Sequence, residues 1–469
     1  MNHEQVTATE PAEERTIPHF PRWRIILYSL GGAGNVLIGT LAGLATYFYV
    51  PPESGQANFP QFLSTNTILG FTMFGVIMFV ANLLPTILGP FVASWSDRSR
   101  SKLGRRKMFM VVSFLPIAVL SYMIFTPPVP ETSVINAWYL FGVMILLNVF
   151  RSLNSVSGAI PPEFGTTSKA MMQFSTFGSV GWILGYLLGS QLVFLIKDGF
   201  VNSGMTTLEA FRVTVLLLIS FGCVLSIFQF AVIDEKKYGR GISSSINLGA
   251  ALKIAFKNKL FVRYTLVNLV YAWGDAIFNT GLIYFVTINY QLPEYMMTAF
   301  GAALIGISLL LYPLVNFVSR KIGKKPVFMA ALVIMSFCLI LFGFPNLIPL
   351  DKLVVAWIIV GLASIYSAVT GILPGAIINE IVREDCVRTG IPNEAAYNAA
   401  GGLITAIPGN IPALVIPSLL LLGKSVQNHT GVTLVAIVSS ACLLIAVFLI
   451  QIVYHEKQII ASLREHGYE

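Results

Sequence analysis

Charge is what this sequence has least of. Only 11% of its 469 residues are Asp, Glu, Lys or Arg, while 55% are hydrophobic. A water-soluble domain carries about 25% charge, because its surface faces water. The shortage excludes an ordinary soluble surface, and a mean hydropathy of +0.75 makes lipid the main solvent. Cysteine is scarce too. Cys223, Cys338, Cys386 and Cys442 are far apart, mostly inside apolar runs and without a CxxC pair. That excludes a disulfide framework and reads as four small buried hydrophobes. The five histidines (His3, His19, His429, His455 and His466) fall in tails or loops, so no buried His is available as a base or a metal ligand. A Walker sequence is absent, so ATP is not implied as an energy source. No constellation of catalytic groups is found. An enzyme is not expected, nor a metal or a cofactor.

What is present is about twelve apolar runs, each near the 20 or so residues that a helix needs to cross the hydrocarbon. They lie near 25–50, 68–95, 108–126, 137–160, 171–196, 211–233, 262–289, 299–318, 327–344, 353–378, 395–422 and 432–454. Several hold Gly or Pro, among them Gly31, Gly34, Pro85, Pro90, Pro374, Pro408 and Pro412. A membrane bundle tolerates these, because neighbouring helices re-satisfy the freed backbone groups. The polar stretch 1–24 lacks the apolar core of a signal peptide and reads as a cytoplasmic tail.

The net charge of +8 does not point to nucleic acid, because the basic residues sit in short loops between apolar runs. Of the 30 Lys and Arg, 25 fall in loops on the side of the N-terminus and four on the other, with Arg151 inside a run. Basic loops stay cytoplasmic. The expectation is a multi-pass protein of the inner or plasma membrane with both termini cytoplasmic.

The chain repeats internally. Lys102-Leu103-Gly104-Arg105-Arg106-Lys107 follows the second run, and Lys321-Ile322-Gly323-Lys324-Lys325 follows the eighth in the same order. Two six-helix halves in parallel repeat produce this pattern. The expected fold is therefore an all-α membrane protein of twelve transmembrane helices in two pseudo-symmetric six-helix halves. A tail (1–24) leads to one half (25–233); a cytoplasmic linker (234–260) leads to the other (261–454) and a second tail (455–469). Within the linker, 247–259 suits an amphipathic interfacial helix.

The loop from Ser96-Asp97-Arg98 to Gly104-Arg105-Arg106 resembles the signature loop of the major facilitator superfamily. Gly104 permits a tight turn. Asp97, at the end of the second run, is placed to pair with an Arg across the halves in one conformation and release it in another; Arg105 and Arg106 hold the loop at the interface. A second stretch, from Asn379-Glu380-Ile381-Val382 through Asp385 to Arg388-Thr389-Gly390 and on to Glu394 and Tyr397, resembles the glycoside–pentoside–hexuronide:cation symporters, the melibiose permease group. Pro161-Pro162-Glu163 and Asn258-Lys259-Leu260-Phe261 agree. The resemblance implies the major facilitator fold and a secondary active transporter of a sugar, glycoside or uronide, working by alternating access. It also implies coupling or gating roles for Asp97, Arg105, Arg106, Glu380, Asp385 and Arg388. The sequence departs from the group at its sodium site. The carboxylate positions of that site fall on Pro85, Gly89 and Asn154, and a lysine position falls on Thr405. Proton coupling or uniport is therefore expected in place of sodium.

Ionisable groups inside a span are costly and usually functional or paired. Two stand out, Arg151 and Asp275. Asp275 and Asn279 are one helical turn apart and face the same way. The functional reading puts Arg151 and Asp275 in a central cavity. Arg151 would hold a hydroxyl-rich or anionic group through its forked donors. Asp275 would accept sugar hydroxyls or the coupling proton, and Trp273 or Tyr271 would stack on a sugar face. The structural reading is an Arg–Asp pair across the halves, or an Arg reaching an interface. Asn154, Asn279, Tyr366 and Gln173 are further candidates, as is Asn148, although each is more often an interhelical hydrogen bond. The expected partners are a small-molecule substrate, a coupling proton or sodium ion, and membrane lipid, without nucleic acid and with the protein a monomer. Two rivals stand beside the sugar transporter. A carrier of lysolipid or another amphiphile would have a cavity opening sideways to lipid; a non-transporting sensor would need a cytoplasmic output domain.

Overall fold

The computed structural model describes residues 18–55, 59–99, 101–165, 167–238, 248–389 and 394–465. All twelve apolar runs are helical. Ten are long and apolar enough to cross a membrane: α1 (Arg22–Tyr49), α2 (Met73–Arg98), α4 (Val134–Phe164), α5 (Lys169–Asn202), α6 (Thr207–Val232), α7 (Lys259–Asn289), α8 (Met296–Ile322), α9 (Lys324–Gly343), α10 (Lys352–Thr389) and α12 (Thr430–Val453). The other two differ in form. The helix α3 (Lys107–Met123) has only 17 residues, and α11 is a bent pair, Ala400–Ala406 and Pro408–Leu420, with a 42° break. Pro408 cannot donate a backbone hydrogen bond, which accounts for the break. The second run starts later than its hydropathy suggests. Thr67–Ile68 and Phe71–Thr72 form a two-stranded hairpin, and Thr72 then caps α2 by accepting from the Gly75 amide.

Each half packs the same way. In the first, α1 packs on α5 and α6, and α4 on α2 and α3. In the second, α7 packs on α12 and α11, and α10 on α8 and α9. The halves meet through α2 against α11 and α5 against α8, which exchange places under the pseudo-two-fold. Gly181, Gly185 and Gly189 recur every four residues on α5, and a Cβ at any of them would strike the α1 backbone. Small residues at this spacing let two helices approach closely in lipid. The outside is apolar: Phe91, Leu310 and Phe448 are 70%, 80% and 65% exposed. Such a surface is stable only against lipid or another apolar partner. A helix, Leu248–Lys257, forms within the linker and packs on Glu394–Ala406; linker residues 239–247 lie outside the described residues, as do tail residues 1–17 and 466–469.

The repeat extends to atoms. Gly104 and Gly323 turn at φ +119° and +96°, a region glycine enters without strain. Each turn delivers a helix N-terminus to a carboxylate. Glu235 accepts from the amides of Arg106 and Lys107 at 2.8 and 2.6 Å, and Glu456 from those of Lys324 and Lys325 at 2.6 and 3.0 Å. A negative group at a helix N-terminus satisfies orphan amides and meets the positive end of the helix dipole. Glu163 pairs with Arg105 and Arg106, and Glu380 pairs with Lys324.

Candidate functional site

A cavity of about 510 Å³ lies between α5, α7, α8 and α10. That size suits a small molecule, since such sites span roughly 300–1,000 Å³. Asp275 stands in its α7 wall. The Tyr366 hydroxyl, from α10, donates to Asp275 Oδ1 at 2.8 Å. Asn279 Nδ2 donates to Oδ2 at 3.0 Å. The turn spacing read from the sequence is thus realised as a side-chain contact. Tyr186, from the other half, comes within 3.5 Å of Asn279 Oδ1, and its ring stacks on Trp182 with centroids 5.2 Å apart and planes at 8°. Among the described residues Asp275 has no ion-pair partner. Its carboxylate is held by neutral donors and keeps capacity for a further donor or a proton. Both α10 and α4 are interrupted near this depth. The α10 helix breaks after Thr370, and Gly371 there abuts the Tyr312 hydroxyl; α4 tightens to a 3-10 turn over Ser155–Ala159.

Of the residues read from the sequence, the structure brings Asp275, Asn279, Tyr271 and Tyr366 together around the cavity. It does not bring Arg151 to them. The guanidinium of Arg151 reaches the Gly39 carbonyl of α1 at 3.4 Å, inside its own half. Neither an Arg151–Asp275 pair nor a shared lining with Asp275 forms. The physical reason is helix rotation: α4 turns this face to α1 and α2, where Asn148 also donates to the Ala81 carbonyl at 3.0 Å. Trp273 faces away, its indole N–H bonded to the Pro408 carbonyl at 2.8 Å in the α11 break. Gln173 and Asn154 lie outside the lining, Asn154 with a buried carbonyl oxygen that has no partner among the described residues.

The gating candidates sit on the side of the termini. Asp97 lies 3.9 Å from Arg105 and 3.8 Å from Arg106, so among the described residues it pairs within its own half and not across the halves. Asp385 accepts from Arg388 at 2.7 Å and from the Tyr397 hydroxyl at 2.5 Å. Glu380 also accepts from the Tyr454 hydroxyl at 3.0 Å. Burial, then the nearby Glu380 carboxylate, push the Tyr454 phenol above its usual range, so it remains a donor. Gly390 lies outside the described residues, and Arg100 does too.

The opposite side is fastened across the halves. Buried Lys197 of α5 pairs with buried Glu294 of the α7–α8 connection, and the Tyr47 hydroxyl donates to the same carboxylate at 2.7 Å. Lys424 pairs with Glu53 at 2.9 Å and reaches the Pro51 carbonyl at 2.8 Å. The Tyr284 hydroxyl donates to the Val50 carbonyl at 2.5 Å.

A family model described as MFS/sugar transport protein matches residues 27–457. The chain belongs to this family. The match agrees with the resemblance carried by the Asn379–Gly390 stretch. Among curated relatives, the isoprimeverose transporter of Lactiplantibacillus pentosus is 20% identical over 251 residues, covering 54% of this chain and 52% of that protein. The lactose permease of Leuconostoc lactis is 25% identical over 344 residues, covering 69% and 52%. The chain thus spans about half the length of these two relatives. Among solved structures, a D-xylose-proton symporter superposes with a TM-score of 0.63 at 14% identity, covering 93% of this chain and 98% of that one. The nucleoside transporter NupG superposes at 0.58 and 12%, covering 92% and 99%. These two likenesses show the fold. The relatives and neighbours named are transporters, not enzymes.

Two of the positions onto which the resemblance maps a sodium site, Pro85 and Gly89, and its lysine position, Thr405, are described. Pro85 and Gly89 lie on α2, and the Thr405 hydroxyl turns back to the Gly401 carbonyl at 2.9 Å. Sequence reasoning missed Tyr186, Trp182, Tyr312 and the Lys197–Glu294 pair. A neutral aromatic inside an apolar run carries no mark that separates a cavity wall from a lipid-facing position. Lys197 sits at the end of a run, where a Lys is ordinarily a solvated anchor.

Proposed function

We propose that this protein is a secondary transporter that carries a sugar or glycoside through the membrane by alternating access, with Asp275 as hydroxyl acceptor and as proton carrier. The observation that carries the reading is Asp275 itself: a carboxylate in the wall of a 510 Å³ cavity, held by Tyr366 and Asn279 and with no ion-pair partner among the described residues. A carboxylate is an acceptor for sugar hydroxyls, and aromatic faces such as Trp182 and Tyr186 suit the apolar faces of a sugar ring. An ionisable group at this depth is costly unless it has work to do. The names of two relatives, for isoprimeverose and for lactose, favour a sugar cargo.

The far-side fastenings join the two halves, so this conformation is sealed there. Rocking one half against the other must break them and form others on the side of the termini. The basic-residue bias assigns that side to the cytoplasm. The halves are taken as residues 25–233 and 261–454, with the protein working as a monomer in the cell membrane. Without carboxylates at the sodium positions, a proton on Asp275 is the coupling event in this reading.

The test is thermal-shift binding of the purified protein against sugars, glycosides, uronides and lysolipids, with wild type beside Asp275→Asn. A ligand that binds the folded state raises its stability by mass action. A sugar or glycoside stabilises wild type and not the variant if the reading holds. Stabilisation by lysolipids alone, or an equal response from Asp275→Asn, overturns it.

A further inference from the structure

The cavity is divided by polarity along the membrane normal. Chain direction gives the depth of each wall residue. The helices α5 and α7 run away from the side of the termini, and α8 and α10 run toward it. On the near side lie Tyr271, Asp275, Tyr366, Ser367, Thr370 and Tyr312. On the far side the same helices, with α9, present Phe278, Leu282, Phe300, Leu304, Phe342 and Val360. Phe278, Phe300 and Phe342 are buried, and Phe342 stacks on Phe285 with centroids 5.3 Å apart. Ala363 leaves room between Val360 and Tyr366 on the α10 wall. Gln191 and Asn279 are polar at that end; the Gln191 amide packs on Gly301, and Asn279 turns back to Asp275.

A bare sugar carries hydroxyls all round and would leave several of them without partners against the phenylalanine end. Burying a polar group without a hydrogen bond is unfavourable. A ligand with a hydroxylated part and an apolar part satisfies both ends. We propose that the cavity holds a glycoside whose sugar ring sits at Asp275, Asn279 and Tyr366 and whose apolar aglycone, aryl or alkyl, fills the end formed by Phe278, Phe300, Leu304 and Phe342. This inference rests on the reading of Asp275 as the sugar site and adds the second subsite.

The test compares binding of methyl and phenyl β-glycosides of xylose, glucose and galactose to the full chain in detergent, by calorimetry. On at least one sugar the phenyl glycoside binds about tenfold or more tighter than the methyl one, as burial of an apolar ring predicts. Ala363→Leu fills the apolar end and brings the two to within about twofold, while methyl glycoside affinity stays the same. Leu304→Asn, which keeps the branched shape and puts an amide in the apolar end, also brings the two to within about twofold and covers the case in which Ala363→Leu does not fold. Equal affinity of phenyl and methyl glycosides in wild type overturns the inference and leaves the sugar site standing. So does a fill variant that weakens both ligands alike. If no glycoside of either kind binds, the sugar site falls and the aglycone subsite with it.

Discussion

The two halves of this protein agree at their turns and helix caps on the side of the termini and differ where they face the cavity. On the side of the termini, Gly104, Glu163 and Glu235 do in one half what Gly323, Glu380 and Glu456 do in the other. In the cavity wall, one half offers Asp275 with Asn279 and Tyr366, while the charge inside the other half, Arg151, lies outside the lining and meets a backbone carbonyl. Each cap closes the same turn in its own half, so the repeat holds the two to one design. A ligand has no two-fold symmetry, so the walls are free to diverge.

The largest effect is expected where the halves touch. Lys197→Met removes the cation that pairs with the buried Glu294 carboxylate, and breaking one partner of a buried pair costs about 3–5 kcal/mol. The far side should open, read as faster labelling of a cysteine introduced at Thr46. The double variant Lys197→Met with Glu294→Met should restore slow labelling. A double variant as open as the single one would mean that the pair is not the fastening.

Asp275→Asn comes next. It keeps the shape and removes the charge-assisted acceptor, so ligand affinity should fall roughly tenfold to a hundredfold. Arg151→Gln should lower affinity by less than Asp275→Asn, because its guanidinium is turned to α1. Equal losses would erase the contrast between the walls. Smaller again are Glu235→Gln and Glu456→Gln. Each weakens a helix cap, with an effect of about 0.5–2 kcal/mol. The two should lower the melting temperature by similar amounts, and a drop in one alone would show that the repeat is geometric without being energetic.

Much of this was legible in sequence. Apolar runs marked the helices because lipid demands length and hydropathy, and the two basic Gly loops marked the repeat. Asp275 stood out because a charge inside a run needs a reason. The pairing of Arg151 with Asp275 was not decidable, since depth along a run says nothing about which way the helix is rotated. Glu235 and Glu456 are single carboxylates in polar segments, and their shared role appears only when the turns at Gly104 and Gly323 bring helix ends to them. The Gly181, Gly185 and Gly189 stripe has a readable spacing, but its partner, α1, is set by three dimensions.

The paired caps have a consequence for how the polypeptide can be supplied. Glu235, just past the first half, closes its clamp on the helix that begins at Lys107, and Glu456, just past the second, closes its clamp on the helix that begins at Lys324, so each closure is made with the half that precedes it. Two separately translated fragments, the first ending after Glu235 and the second starting before Lys259, each carry their own clamp. Co-expressed, they should find each other through the α2–α11 and α5–α8 faces and the Lys197–Glu294 pair, and reassemble as a two-chain carrier.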